Sequence, residues 1–193
     1  MRITGGEWGG RNLKAPKGDA VRPTQDRVRE ALFSMLTNEI AGVKFLDLFA
    51  GAGTVGLEAL SRGAAHVTFV EKAPPSLACI SSNIEMLKVS DRTELVRADA
   101  LNWIKSAAAK RNFDVAFADP PYQLALDVGY AEILKTLAVN DVVKVDGLFI
   151  AEMRRTQTPD VSEHWDLCRD RIYGQSRIAL YRRKSIPLSA KEA

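Results

Sequence analysis

Cysteine is scarce in this chain and long apolar runs are absent, and each shortage removes a class of protein. The two cysteines, Cys79 and Cys168, stand alone in the sequence. Their spacing suits neither a metal site nor a redox pair, so they read as core or surface fillers at home in a reducing cytoplasm. No segment stays apolar for the roughly 20 residues a bilayer demands, and no basic-then-apolar leader opens the chain, so a cytoplasmic protein without a membrane partner is expected. Internal repeats and low-complexity tracts are missing as well. Charge of one sign is in short supply, with a formal net of only +3, which by itself selects no partner. What is present is enough apolar material, 46% of 193 residues, for one substantial core with a small appendage.

The distribution of charge says more than its sum. Residues 1–29 carry seven Arg or Lys against three acids, and residues 154–193 carry nine against five. The stretch between them holds eleven basic residues against sixteen acids. An acidic middle with basic ends suits a phosphate-rich partner, although terminal basic residues also occur simply as solvated surface.

Short apolar runs alternate with helical patterns. Phe45-Leu46-Asp47-Leu48-Phe49 reads as a strand that feeds Gly51-Ala52-Gly53-Thr54-Val55-Gly56, a complete G-x-G-x-x-G. A helix from Thr54 to Arg62 follows, stopped by Gly63, and then a strand His66–Val70 that ends at Glu71. Gly51, Gly53 and Gly56 let the backbone turn tightly and aim helix N–H groups at a ligand. A carboxylate about 20 residues on is where such a unit holds ribose hydroxyls, so Glu71 completes an adenosine-type site. The fingerprint alone points first to a nicotinamide dinucleotide. Asp47 argues otherwise, because a carboxylate before the loop would repel a pyrophosphate and would suit an ammonium or sulfonium, both of which S-adenosylmethionine carries. Asp47 would otherwise serve to cap the strand end. Further on, Glu94–Arg97 is a short strand leading to Asp99 and Ala100, where Asp99 either accepts from an adenine amino group or caps a helix Ala100–Lys110, roles that can coexist.

After the apolar run Phe113–Ala118 come Asp119-Pro120-Pro121-Tyr122. Two ring-locked residues stiffen the segment and leave its carbonyls free to accept. An exocyclic amine on a base is a poor nucleophile because its lone pair spreads into the ring. Asp119 and the Pro120 carbonyl, pulling on its two hydrogens, would localise that pair, while Tyr122 would stack on the base for roughly 1–3 kcal/mol. A proline pair with a capping Asp is also a common turn.

The remaining text organises around these motifs. Met1 to Asp19 is glycine-rich and reads as a hairpin-like arm. From Thr24, taken as a cap, Val28, Ala31, Leu32, Met35 and Leu36 fall on one helical stripe, with Arg22, Arg27 and Arg29 about its start, placed either for phosphates or for pairing with Asp26 and Glu30. Pro74–Val89 is a helix with Leu77, Ile80, Ile84 and Leu87 inward and Asn83 expected at the surface. Leu124–Ala138 is a further helix, Gly147–Glu152 a strand, and Trp165–Ile172 with Arg177–Arg183 an antiparallel hairpin about Gly174.

In this order the glycine loop, Glu71, Asp99 and the Asp-Pro-Pro-Tyr stretch resemble the class I methyltransferases that use S-adenosylmethionine on amino groups of bases. The N-terminal run Arg2–Leu13 and above all Val21-Arg22-Pro23-Thr24-Gln25-Asp26-Arg27-Val28-Arg29-Glu30 is similar to the bacterial small-subunit ribosomal RNA guanine-N2 methyltransferases of the RsmD type. The resemblance implies a doubly wound, Rossmann-like α/β sheet, mostly parallel with a C-terminal antiparallel hairpin, in a methyltransferase domain spanning 24–193 behind a basic arm spanning 1–23. It implies S-adenosylmethionine held by Asp47, the glycine loop, Glu71, Asp99 and Ala100, and a guanine amine held by Asp119, Pro120, Pro121 and Tyr122. It also implies 16S ribosomal RNA as partner, in a 30S subunit or an assembly intermediate, met by a monomer through Arg2, Arg11, Arg22, Arg27 and Arg29, with no metal. The alternatives are an amino-methyltransferase of DNA adenine or cytosine, and an NAD(P)-dependent oxidoreductase.

Overall fold

The structure is a computed structural model that describes residues 1–16, 23–106, 111–121 and 129–185. Tyr122, Arg22 and the outer parts of the helices expected at 100–110 and 124–138 lie outside the described residues.

Seven strands form one sheet: β1 (Lys44–Leu48), β2 (His66–Glu71), β3 (Thr93–Arg97), β4 (Phe113–Ala118), β5 (Val143–Arg154), β6 (Trp165–Tyr173) and β7 (Ser176–Arg183). They lie in the order β3-β2-β1-β4-β5-β7-β6, the first five parallel and the last two antiparallel to their neighbours. The expected doubly wound sheet with its terminal hairpin is therefore the observed one. The order reverses between β1 and β4, and ligands of open α/β sheets bind at the strand ends beside such a switch point. The glycine loop follows β1 there, and Asp119 follows β4.

Helices cover both faces: α1 (Pro23–Met35), α2 (Thr54–Ser61), α3 (Pro74–Leu87), α4 (Ala100–Ile104) and α5 (Gly129–Val139). Because a strand alternates its side chains, β1 sends Phe45 to one core, with Val28, Leu32, Phe33, Leu57 and Ile80, and Leu46 and Leu48 to the other, with Trp103, Leu134, Phe149 and Tyr181. Burial on both faces is why the parallel strands read as apolar runs rather than as alternation. Among the described residues no helix is long and apolar enough to cross a membrane.

The N-terminal residues fold back on themselves. Arg2 bridges Asn12 antiparallel, and Ile3 and Leu13 are buried in the first core. Two side chains whose roles the sequence reading did not give fasten this arm. Asn83, expected at the surface, is fully buried. Its side chain accepts from the Lys14 N–H at 2.8 Å and donates to the Lys14 carbonyl at 3.0 Å and the Ala52 carbonyl at 3.3 Å. Glu58, fully buried on α2, accepts from the Thr4 N–H at 3.2 Å and from the Thr4 hydroxyl. It also pairs with Arg29 at 2.6 Å and Arg62 at 2.8 Å. A second correction concerns α1, which is already helical at Pro23, so Thr24 lies inside the helix rather than at its cap.

Candidate active site

The glycine loop turns as its residues dictate. Gly53 occupies the left-handed region at φ 76°, capping α2, and Gly51 does so at φ 55°. Gly56 has a different reason to be glycine. A Cβ there would stand 2.8 Å from Val67 Cγ1 and closer still to Phe69 Cε1, so its absence lets α2 lie against β2. Between β1 and the loop, Phe49 is itself held at φ 58°, unusual for a residue with a side chain.

Asp47 is buried beneath this turn and accepts from the Gly56 N–H at 2.9 Å. Burial pushes its carboxyl up to about 8, the Gly56 hydrogen bond opposes this, and the charges of Glu71 and Asp119 add to it. Glu71 ends β2, accepting from the Gly51 N–H at 2.8 Å and from the Lys72 and Ala73 N–H groups at 2.8 Å each, so it ties the loop to the following strand end. Asp99 does cap α4, accepting from the Asn102 N–H at 3.2 Å, and pairs with the Lys72 ammonium at 3.1 Å.

These groups line one cleft of about 650 Å³, walled by Phe49, Gly51, Glu71, Asp99, Ala100 and, at its inner end, Asp119, Pro120 and Pro121. A second cavity of about 440 Å³ shares Asp119 and Pro120 and continues past Tyr130, Glu152, Met153 and Ser176 to Arg154 and Arg155 at its rim. A third, of about 220 Å³, runs under the loop between Asp47, Arg29, Asp119 and Glu152. Asp119 stands where all three meet. Its side chain is exposed to solvent through them, and the walls around it, with the charge of Glu152 beside it, push its carboxyl up to about 8.

Glu152 was visible in the sequence only as the end of a strand. Burial raises its carboxyl too, opposed by a hydrogen bond to Ser176 and by the charge of Arg29. Its backbone carbonyl accepts from the hydroxyl of buried Tyr130, which fixes the end of β5. The signal that could have found it is positional: like Glu71 and Asp119, it closes an apolar run.

The predicted site residues thus separate into groups. Gly51, Glu71, Asp99, Ala100, Asp119, Pro120 and Pro121 come together in one cleft, with Asp47 beneath it, whereas Gly53 and Gly56 shape the turn and its packing on β2 without lining the cleft. Arg11 and Arg27 are exposed, and Arg2, also exposed, pairs with Asp26 at 3.1 Å. Arg29 does not face solvent as a phosphate ligand would. It is buried, bound to Glu58, to Asp26 at 2.9 Å and to the Arg2 carbonyl, because α1 turns that position onto α2. It lines the inner cavity instead.

A cleft crowded with carboxylates favours a cationic ligand over a pyrophosphate. The donor set therefore fits a sulfonium nucleoside better than a dinucleotide.

Comparison with known proteins places this geometry. The family model described as "Conserved hypothetical protein 95" matches residues 1–182. The Ribosomal RNA small subunit methyltransferase D of Escherichia coli K12 is 34% identical over 186 residues, covering 96% of this chain and 91% of that protein. The protein of the same name from Haemophilus influenzae is 34% identical over 94% of this chain and 93% of its own length. The solved structure of yhhF from Escherichia coli superposes with a TM-score of 0.83 at 32% identity, covering 96% of this chain and 99% of that one.

Proposed function

Because the chain belongs to the Conserved hypothetical protein 95 family over nearly its whole length, we propose that its joined cavities methylate the exocyclic N2 amine of a guanine in small-subunit ribosomal RNA. The protein is an S-adenosylmethionine-dependent ribosomal RNA methyltransferase, with 16S RNA as its substrate. The observation that carries the residue-level reading is the shared wall: Asp119 and Pro120 belong at once to the cleft of Glu71 and Asp99 and to the cavity that opens between Arg154 and Arg155. A donor on one side and an acceptor base on the other would meet there.

The cofactor supplies an electrophilic methyl on sulfonium; the chain supplies position and charge. Gly51, Glu71 and Asp99 hold the nucleoside end, and at the inner end Asp47 and Asp119 ionise as the cation binds. Asp119 and the Pro120 carbonyl each accept one hydrogen of the amine, concentrating the lone pair on nitrogen for in-line attack. As the C–N bond formed, the methyl–sulfur bond would break and the sulfur leave as a neutral thioether; the nitrogen would then be acidic, and the Asp119 carboxylate would take its surplus proton, a transfer suited to a group held up to about 8. Tyr122 stacks on the ring in this reading. A base paired or stacked in the RNA must first be extruded, at a cost of a few kcal/mol.

The arm of residues 1–23 is taken as the phosphate-facing appendage of a methyltransferase domain at 24–193, with exposed Arg2, Arg11 and Arg27 on that side and Arg22 with them. The substrate would be a 30S subunit or assembly intermediate in the cytoplasm, met by a monomer. The test is to incubate the protein and labelled cofactor with small subunits from a strain lacking the modification, and with naked 16S RNA, and then map the methylated base by mass spectrometry. Label on a guanine N2, lost in Asp119→Ala, is the expected result. Label on duplex DNA alone, or activity unchanged by Asp119→Ala, would overturn the assignment.

A further inference from the structure

An amine grip of one carboxylate and one carbonyl does not choose among guanine, adenine and cytosine, since all three carry an exocyclic amine. A second acid stands beside the grip, however, and it has no part in the reaction described above. Ala118, the last residue of β4, pairs in register with Ala151 of β5, so Asp119, just past β4, and Glu152, still within β5, follow at the same level. Parallel strands lie about 4.8 Å apart. The two carboxylates therefore flank one point, and both line the outer and the inner cavity.

Glu152 is also held. The hydroxyl of buried Tyr130 fixes its backbone carbonyl, Ser176 bonds its side chain, and Arg29 stands across the inner cavity. Arg29 is anchored in turn by Glu58 and Asp26, and among the described residues its charge acts on Glu152, lowering that carboxyl. Of the two acids, Glu152 is the one built to carry negative charge when the site is otherwise empty of cations.

The chemistry of the base edge gives that charge a use. Beside its N2 amine, guanine presents N1–H, a second donor. Adenine at N1 and cytosine at N3, the atoms next to their amines, present lone pairs instead. An ionised carboxylate accepts from N1–H and repels a lone pair. From this placement we infer that Glu152 is the specificity-determining residue, accepting from guanine N1–H while Asp119 and Pro120 hold the amine. The inference rests on the reading of Asp119 as the amine grip, and it explains why that grip acts on guanine.

A site built to bond a donor rejects an analogue that lacks it far more strongly than an apolar pocket rejects a missing methylene. The matched analogue is 2,6-diaminopurine, which keeps the 2-amino group and replaces N1–H by a lone pair. Small subunits would be reconstituted from ligated 16S RNA carrying either guanine or 2,6-diaminopurine at the methylated position, and kcat/KM measured for each. The wild-type protein should prefer guanine by at least about 100-fold. In Glu152→Gln the amide offers a donor as well as an acceptor, so guanine should lose at least about tenfold and the preference should shift toward 2,6-diaminopurine.

Guanine and diaminopurine methylated within threefold of each other by the wild type would overturn the assignment of Glu152 while leaving Asp119 in place. That comparison needs no variant, so it stands if Glu152→Gln folds poorly. An unchanged ratio in a folded Glu152→Gln would overturn it as well. Failure of the wild type on guanine itself would instead bring down the underlying reading of the site.

Discussion

Replacing Gly56 by alanine puts a methyl group 2.8 Å from Val67 Cγ1 and nearer still to Phe69 Cε1, both on the buried face of β2. Neither neighbour is a flexible chain end, so α2 must lift from the sheet or Phe69 must leave its rotamer. Overpacking of this kind costs about 1–3 kcal/mol. For a chain of this size each kcal/mol lowers Tm by about 2–4 °C, so calorimetry should show a drop of about 2–12 °C. Gly51→Ala probes the other reason for glycine. Its Cβ would meet no protein atom within 4 Å, but the position lines the cleft and sits at φ 55°. It should lose about 1–2 kcal/mol to backbone strain and, in addition, bind S-adenosylmethionine at least about tenfold more weakly by titration calorimetry. Gly56→Ala should keep affinity within about threefold. Trimming the obstacle should restore part of the loss: Phe69→Leu should cost less in the Gly56→Ala background than alone, a positive coupling in the double-mutant cycle. Additive stabilities, or cofactor affinity lost in Gly56→Ala and kept in Gly51→Ala, would refute this division of labour.

Three further outcomes follow from the same geometry. Asn83→Ala removes a fully buried amide together with its hydrogen bonds to Lys14 and Ala52 and should cost about 1–3 kcal/mol in chemical denaturation, with earlier proteolysis of residues 1–16; an unchanged midpoint would deny Asn83 its role as a fastener. Glu58→Ala strands buried Arg29 and should cost about 3–5 kcal/mol, whereas an exposed pair such as Arg2 with Asp26 should cost under about 1 kcal/mol in Arg2→Ala. Asp47 and Asp119 are both raised to about 8, so between roughly pH 4 and 8 the folded protein binds more protons than the unfolded chain, and these groups' stabilising contribution is lost as pH rises through about 8. Binding a cation favours their ionised forms, so S-adenosylmethionine should expel protons at pH 7, giving binding enthalpies that differ between phosphate and Tris buffers, and Asp47→Asn should reduce that difference; proton uptake would contradict the sign.

How much of this could be read from residue order follows from where each interaction partner lies. The glycine loop with Glu71, and the strand before Asp119, are local patterns: apolar runs mark buried strands, glycines mark turns, and the acid recurs one strand later. Their order along the chain fixes which strand ends meet at the switch point. Asn83 and Glu58 escaped because their partners are remote, 69 residues away at Lys14 and 54 at Thr4, and a polar residue on a helix stripe carries no mark of whether something will cover it. For Arg29 the pairing with Asp26 was one of the two readings, but its burial was not legible, for the same reason. Its spacing on α1 is one turn from Met1's end of the arm only in three dimensions, and the choice between phosphate ligand and buried partner was decided by Glu58 on a different helix. Glu152 is the instructive case. Its strand was legible, but its neighbour is not: only the β4 to β5 register places it beside Asp119.

That register also bears on how one small protein handles two ligands of opposite charge. Asp47, Glu71, Asp99, Asp119 and Glu152 surround the joined cavities, and their mutual repulsion shows in the carboxyls of Asp47 and Asp119, each raised in part by neighbouring acids. Lys72 beside Asp99 and Arg29 behind Glu152 offset the repulsion only at its edges. A sulfonium nucleoside relieves it at the centre, whereas a pyrophosphate would add to it, so the same glycine fingerprint that suits a dinucleotide is turned away from one by its acids. Phosphates of an RNA chain meet the same barrier. In the proposed reading they would stay outside, near the exposed Arg154 and Arg155 of the outer cavity, while an uncharged ring passes inward. In that reading the acids proposed to hold the methyl donor also select the part of the nucleotide that reaches it, which makes extrusion of the base an electrostatic requirement as well as a steric one.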